Sequence, residues 1–208
     1  MRKQEIFPVH LCEYDVLFYD DHKQNIIDLA YKVKKDYPAE IASGRNSWQS
    51  IKVGPQDATS LFKSPSLTYV ITSIQNELTS FIGRGTRIQN WWFNINGPNS
   101  WNSQHIHPGA SAAGIFYINV PAKTDGNGVR IPQPRQAGSL VLHHPSEYAA
   151  QKYMHPISKN VDEWAVHEVF PKEGRFFMFP AYIGHNVEEN TTDQDRISIS
   201  FNIMFPNT

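Results

Sequence analysis

His105-Ile106-His107 puts two imidazoles on one side of an extended chain, because alternate residues of a strand point the same way. A third imidazole, His185, stands in "FFMFPAYIGHNVEEN", after an apolar run and a Tyr-Ile-Gly turn. Three imidazoles from two strand ends suit iron, zinc, copper or nickel, borderline metals that take neutral ring nitrogens readily. The plainer reading of His105 and His107 is a polar loop closed by the Pro108-Gly109 turn.

The residues after His185 sharpen the chemistry. Arg196 lies eleven residues later, with Ser198 two positions on and therefore on the same side of a strand. A guanidinium fork beside a hydroxyl is a receptor for a carboxylate, which it binds through two parallel hydrogen bonds. Tyr117, in the strand after His107, offers a third donor. The competing reading pairs Arg196 with its neighbours Asp193 or Asp195. That pairing leaves the coincidence of histidine, spacing, arginine and serine unexplained.

The elements that must hold these groups change character near Gly85. Before it, two amphipathic helices are expected. Asp20 or Asp21 caps one whose apolar positions Ile26, Leu29, Ala30, Val33 and Tyr37 follow the 3.6-residue period, and Pro38 stops it. Ser64 caps the other, with Pro65 at its first position, a stripe from Leu67 to Ile82, and Gly83 and Gly85 at its end. Beyond Gly85 the period falls to two, with strand-like runs at 87–96, 113–120, 138–142, 166–170, 175–179 and 196–205.

In "RISISFNIMF", Arg196, Ser198, Ser200, Asn202 and Met204 share one face, and Ile197, Ile199, Phe201, Ile203 and Phe205 the other. "NWWFNIN" likewise sets Asn90, Trp92, Asn94 and Asn96 opposite Trp91, Phe93 and Ile95. Solvated polar faces would be the ordinary outcome. Two amphipathic helices need an apolar surface to cover, however, and these strands supply it. The polar faces then line an internal cavity, as in a barrel that binds a polar ligand.

"QHIHPGASAAGIFYINVP", "EGRFFMFPAYIGHNVEEN" and "DRISISFNIMF" resemble the signature blocks of the 2-oxoglutarate and Fe(II)-dependent oxygenases, in the bacterial and phage-type branch related to prolyl hydroxylases. The resemblance covers roughly residues 87–205, and "SWQS" at 47–50 and "IFPVH" near the start are similar to that branch too. It implies a mainly β fold: a double-stranded β-helix, or cupin-like jelly roll, with N-terminal helices packed outside one sheet. It implies one oxygenase domain over 1–208, with a helical support region at 1–85 and a jelly-roll core at 86–208. The cofactors it implies are Fe(II), 2-oxoglutarate and O2. By position, His185 becomes the distal iron ligand, Arg196 the partner of the distal carboxylate of 2-oxoglutarate, and Ser198 and Tyr117 its supporting donors. Asn94 and Asn202 line the pocket.

The departure from the family pattern is at the proximal ligand, where a histidine should be followed two residues later by Asp or Glu. Counting from His105, that position holds His107; counting from His107, it holds Gly109. Two sites are compatible with this: a three-histidine centre of His105, His107 and His185, or a vacant position of the kind that lets relatives halogenate. The three-histidine centre uses both residues and is preferred, with hydroxylation as the expected outcome. The alternatives are another cupin-type metalloenzyme, such as a three-histidine dioxygenase or isomerase, and a non-enzymatic jelly-roll binding module.

Composition narrows the setting. The 19 Lys and Arg nearly balance the 20 Asp and Glu, for a net charge of −1 over 208 residues, which argues against nucleic acid as the partner. No run approaches the roughly 18 apolar residues of a membrane span. The single cysteine, Cys12, reads as a small buried hydrophobe and fits a reducing, cytoplasmic location. The expected partner is a small molecule or a protein side chain, and edge strands in such folds often pair, which admits a homodimer. His143, His144, His155 and His167 read as loop and strand-edge positions. The stretch 143–165 reads as a lid, and 124–136, with Arg130 and Arg135, as a pocket loop.

Overall fold

The computed structural model describes residues 9–40, 43–54, 62–121, 138–146 and 165–206. In chain order these form two helices and nine strands: β1 (Cys12–Asp15), α1 (Asp20–Asp36), β2 (Gly44–Gln49), α2 (Pro65–Ile82), β3 (Arg87–His105), β4 (Ala112–Asn119), β5 (Leu140–His143), β6 (Val166–Val169), β7 (Arg175–Pro180), β8 (His185–Val187) and β9 (Arg196–Met204). The strands form one antiparallel sheet in the order β1-β7-β4-β9-β3-β8-β5-β6, with β2 also paired to β3. The sheet curls into a half-barrel, the mainly β jelly-roll form expected, with both helices against its outer surface. The loop residues 124–136, and 147–164 of the expected lid, lie outside the described residues, as does His155.

β9 shows why the sheet curls around a polar interior. Its Ile197, Ile199, Phe201 and Ile203 are each 1% exposed or less and pack with Ile26, Ala30, Val70 and Ile74 of the helices. Trp91, Phe93 and Ile95 of β3 join the same cluster, as the alternation predicts. A second apolar cluster is built from β4 to β8, with Ile115, Tyr117, Leu140, Val169, Phe177 and Val187 among its members. Burying these side chains stabilises by about 1.5–3 kcal/mol each, which fixes the register of both central strands.

Ser64 caps α2 as expected, its hydroxyl accepting from the Leu67 amide at 3.4 Å. α1 departs from expectation: Tyr19, not Asp20 or Asp21, occupies the N-cap and gives no side-chain cap bond. Its side chain is committed elsewhere, donating from its hydroxyl to Ile118 O at 2.6 Å and meeting Phe116 edge-on at 5.2 Å. Asp20 and Asp21 fall in the first turn, where their charge faces the positive end of the helix dipole. Phe81, counted in the apolar stripe of α2, points outward and is 67% exposed. Cys12 is half-buried on β1.

β3 runs nine residues beyond its expected end. Arg87–Asn96 pair with β9 and Asn102–His105 with β8, so one strand crosses from one part of the sheet to the other. The crossing is at Gly97-Pro98-Asn99-Ser100, where Asn99 takes φ +58°. There the Asn99 amide donates to Asn190 O and the Asn190 amide to Ser100 O, both at 2.8 Å. This crossing carries His105 into register with His185 of β8.

The outer edge is pinned by charge: Arg175 of β7 donates to Asp15 of β1 through Nε and Nη2, both at 2.7 Å, and through Nη1 to Glu13 at 2.7 Å. The Arg175 hydrogen bonds hold the Asp15 carboxyl at about 2, below its ordinary 3.8. The pair therefore supports the edge fully above pH 3.8 and loses its contribution as pH falls toward 2. In an NMR titration the Asp15 carboxyl should have a midpoint near 2 and move up in Arg175→Gln; a wild-type midpoint at 3.8 would contradict the pairing.

Candidate functional site

His105 ends β3 directly opposite His185, the first residue of β8. His107 comes next on a backbone held by its amide's hydrogen bond to Ala181 O at 3.0 Å, before the Gly109 turn at φ +83°. Between them Ile106 points outward, 48% exposed, so both imidazoles of the motif turn inward. Ring centroids are 4.2 Å apart for His105 and His185, 5.1 Å for His107 and His185, and 5.4 Å for His105 and His107. One ring nitrogen from each lies within 4.8 Å of the others.

The second nitrogen of each ring is occupied. His105 Nδ1 donates to Ser103 O at 2.8 Å, His185 Nδ1 to Ile183 O at 2.9 Å, and His107 Nδ1 to Asn202 Oδ1 at 2.5 Å. Because these acceptors are oxygens, each Nδ1 carries the proton and each Nε2 keeps its lone pair. Burial, the largest cause in all three, pushes the imidazoles below the ordinary histidine value, and that of His185 to about 3. Three neutral rings with free Nε2 atoms form a donor set suited to a borderline divalent metal. Phe179 meets His185 edge-on at 4.8 Å, and Trp92 stacks beside His107 at 5.9 Å.

The histidines open onto a cavity of about 830 Å³, whose lining includes Asn94, Asn202, Arg196 and Ser198. Arg196 is 1% exposed. Its Nη1 donates to Gly138 O and its Nη2 to Asn96 Oδ1 at 2.9 Å, and no carboxylate among the described residues pairs with it. The expected competitor, Asp195, instead accepts from the Tyr31 hydroxyl at 2.8 Å. Arg196 Nε, Ser198 Oγ and the Tyr117 hydroxyl are buried without a partner among the described residues. The Tyr117 ring centre is 5.9 Å from the guanidinium carbon, and burial raises its phenol to about 12, keeping it a donor. A desolvated cation flanked by idle donors fits a carboxylate.

Sequence reasoning placed Arg196 and Ser198 on the cavity face and missed what orients them; Tyr117, fully buried beside the guanidinium, is not part of the cavity lining. Asn96 holds the guanidinium and is itself held by Asn102 at 3.1 Å. Gly138 carries the second acceptor at φ +76°, where an added Cβ would fall 2.6 Å from Arg196 Nη1. Asn94 is tied to Gln49 at 2.8 Å and to Ser200 at 2.9 Å. His143 binds Asn186 at 2.7 Å, His144 accepts from the Ser146 amide, and exposed His167 stands on β6; none joins the cluster.

Residues 90–202 match the family model described as "Putative 2OG-Fe(II) oxygenase". The chain belongs to this family of 2-oxoglutarate and Fe(II)-dependent oxygenases. No curated protein sequence matches it. Among solved structures, a Pseudomonas putida prolyl-4-hydroxylase is similar over 95% of this chain and 93% of its own, at 11% identity and a TM-score of 0.61. A viral collagen prolyl hydroxylase from Paramecium bursaria Chlorella virus-1, in complex with 2-oxoglutarate, is similar over 93% and 94%, at 12% identity and 0.57. HygX from Streptomyces hygroscopicus, with nickel and 2-oxoglutarate bound, is similar over 94% and 83%, at 11% identity and 0.60. These likenesses are of fold, and the oxygenase's cofactors are those of its family: Fe(II), 2-oxoglutarate and O2.

The idle Tyr117 hydroxyl makes a stability prediction for the ligand-free oxygenase. Tyr117→Phe removes a buried donor that has no partner among the described residues, so the unfolding free energy should be unchanged or rise by about 1 kcal/mol. Urea denaturation showing a loss of more than about 1 kcal/mol would mean that the hydroxyl is already satisfied.

Proposed function

We propose that the chain hydroxylates its substrate at an iron held by His105, His107 and His185, with 2-oxoglutarate anchored by Arg196, Ser198 and Tyr117. The observation that carries this reading is the convergence on one cavity of three neutral imidazoles and a buried arginine with no described carboxylate partner. Bound there, Fe(II), 2-oxoglutarate and O2 supply the oxidant for a C–H bond, with 2-oxoglutarate leaving as succinate and carbon dioxide.

The protein's own residues bind, orient and desolvate. The three rings offer Nε2 while backbone and side-chain oxygens fix their tautomers. Arg196 meets the far carboxylate in a fixed plane set by Gly138 and Asn96, and the two hydroxyls complete its hydrogen bonds. Phe179 and Trp92 keep water from two of the rings. With three neutral ligands the metal would keep its full charge of +2, which 2-oxoglutarate, one of its carboxylates being paired with Arg196, offsets only in part.

The close pairing of His105 with His185 favours the three-histidine centre over a halogenase-like site with Gly109 at the vacancy. The cavity, lined partly by amides and hydroxyls, has room beside 2-oxoglutarate for a small molecule or an amino-acid side chain. A cytoplasmic setting fits the lone cysteine, and the sheet edges at β1 and β6 are where a homodimer would form. No described helix is long and apolar enough to cross a membrane.

The test is succinate release from 2-oxoglutarate by the iron-loaded protein under air. Arg196→Leu should abolish 2-oxoglutarate binding. Gly138→Ala, which crowds the guanidinium, should weaken it by about 10–100-fold, the equivalent of a lost charge-assisted hydrogen bond. Unchanged 2-oxoglutarate affinity in Arg196→Leu would sink the assignment.

A further inference from the structure

Two of the three rings take their tautomer from their own strand. His105 donates to the carbonyl of Ser103 and His185 to that of Ile183, each two residues upstream, so the backbone sets both. His107 has no such arrangement. Its Nδ1 proton goes to a side chain from another strand, Asn202 of β9, at 2.5 Å.

The amide is held in one orientation. Asn202 Nδ2 donates to Asn90 Oδ1 at 2.9 Å, which turns Oδ1 toward His107. Asn90 and Asn202 face each other in the β3–β9 register, so the relay is part of the sheet. Trp92, stacked beside His107 with planes 23° apart, limits rotation of the ring.

We infer that Asn202 is the positioning residue that makes His107 a metal ligand, an inference that rests on the three-histidine reading above. A carboxylate in the position of His107 would need no tautomer, since either oxygen ligates. An imidazole there presents Nε2 only if something accepts its Nδ1 proton. Asn202, read from sequence as pocket lining, is the group that does so.

Cobalt(II) alone is the probe, titrated into the purified full chain without 2-oxoglutarate and followed by its visible absorption. Asn202→Ala should weaken cobalt binding by about 10–100-fold, the range for losing an oriented outer-shell partner. Asn202→Asp, which keeps an acceptor oxygen, should retain wild-type affinity, and it carries the test if the alanine variant fails to fold. In a His107→Asp background the Asn202→Ala change should alter cobalt affinity less than threefold. Nitrogen-15 NMR of the metal-free protein should show His107 protonated at Nδ1 in the wild type and as a tautomer mixture in Asn202→Ala. Cobalt binding by Asn202→Ala within threefold of wild type would overturn the inference. So would an equal loss in the His107→Asp background, which would mean that Asn202 acts on the fold. Wild-type protein that takes up no cobalt would remove the three-histidine reading itself.

Discussion

The two-residue period of β9 is the constraint on which the rest depends. One strand must present Ile197, Ile199, Phe201 and Ile203 to the helices and Arg196, Ser198, Ser200 and Asn202 to the cavity. A slip of one residue would bury a guanidinium, two hydroxyls and an amide under α1 and α2 and turn the apolar row into the cavity. The helices thus do more than cover the sheet. By claiming its apolar side they turn its polar side inward, and a hydrogen-bonding cavity results from their packing.

That cavity holds groups which the protein alone leaves incompletely satisfied. Arg196 is desolvated with no described counter-ion, the hydroxyls of Ser198 and, beside the guanidinium, of Tyr117 have no partner among the described residues, and three imidazoles are kept neutral by burial. Each is unfavourable in isolation, and in the proposed function a metal dication would take the ring lone pairs while a carboxylate of the cosubstrate would pair with Arg196. The positions of Asn96, Gly138 and Asn202 show that orientation is built in beforehand, so binding requires little rearrangement of the charged groups.

The sequence made the long elements and their faces legible, because periodicity over eight or more residues is hard to mistake. α2 begins at Pro65 with Ser64 as its cap, as read, and β9 and the first half of β3 keep their predicted faces. β1, β2 and β8 escaped. "CEYD", "GRNSWQ" and "HNV" are too short for a period to be read, although Cys12 and Tyr14 of β1 do turn toward the core between exposed Glu13 and Asp15. The spacing of His105, His107, His185 and Arg196 pointed to the site through local sequence alone. What local sequence could not show is contact across strands. Asn202 meets His107 across 95 positions and Asn96 meets Arg196 across 100, and only the register of β3 with β9 brings the asparagines into place.

The central claim is that a third imidazole replaces the usual carboxylate at the metal. X-ray absorption at the iron edge, on anaerobic protein loaded with Fe(II) and 2-oxoglutarate, tests it most directly. Three imidazoles in the metal's scattering shell, falling to two in His107→Ala, is the predicted result. Two imidazoles in the wild-type protein, unchanged when His107 is removed, would contradict it.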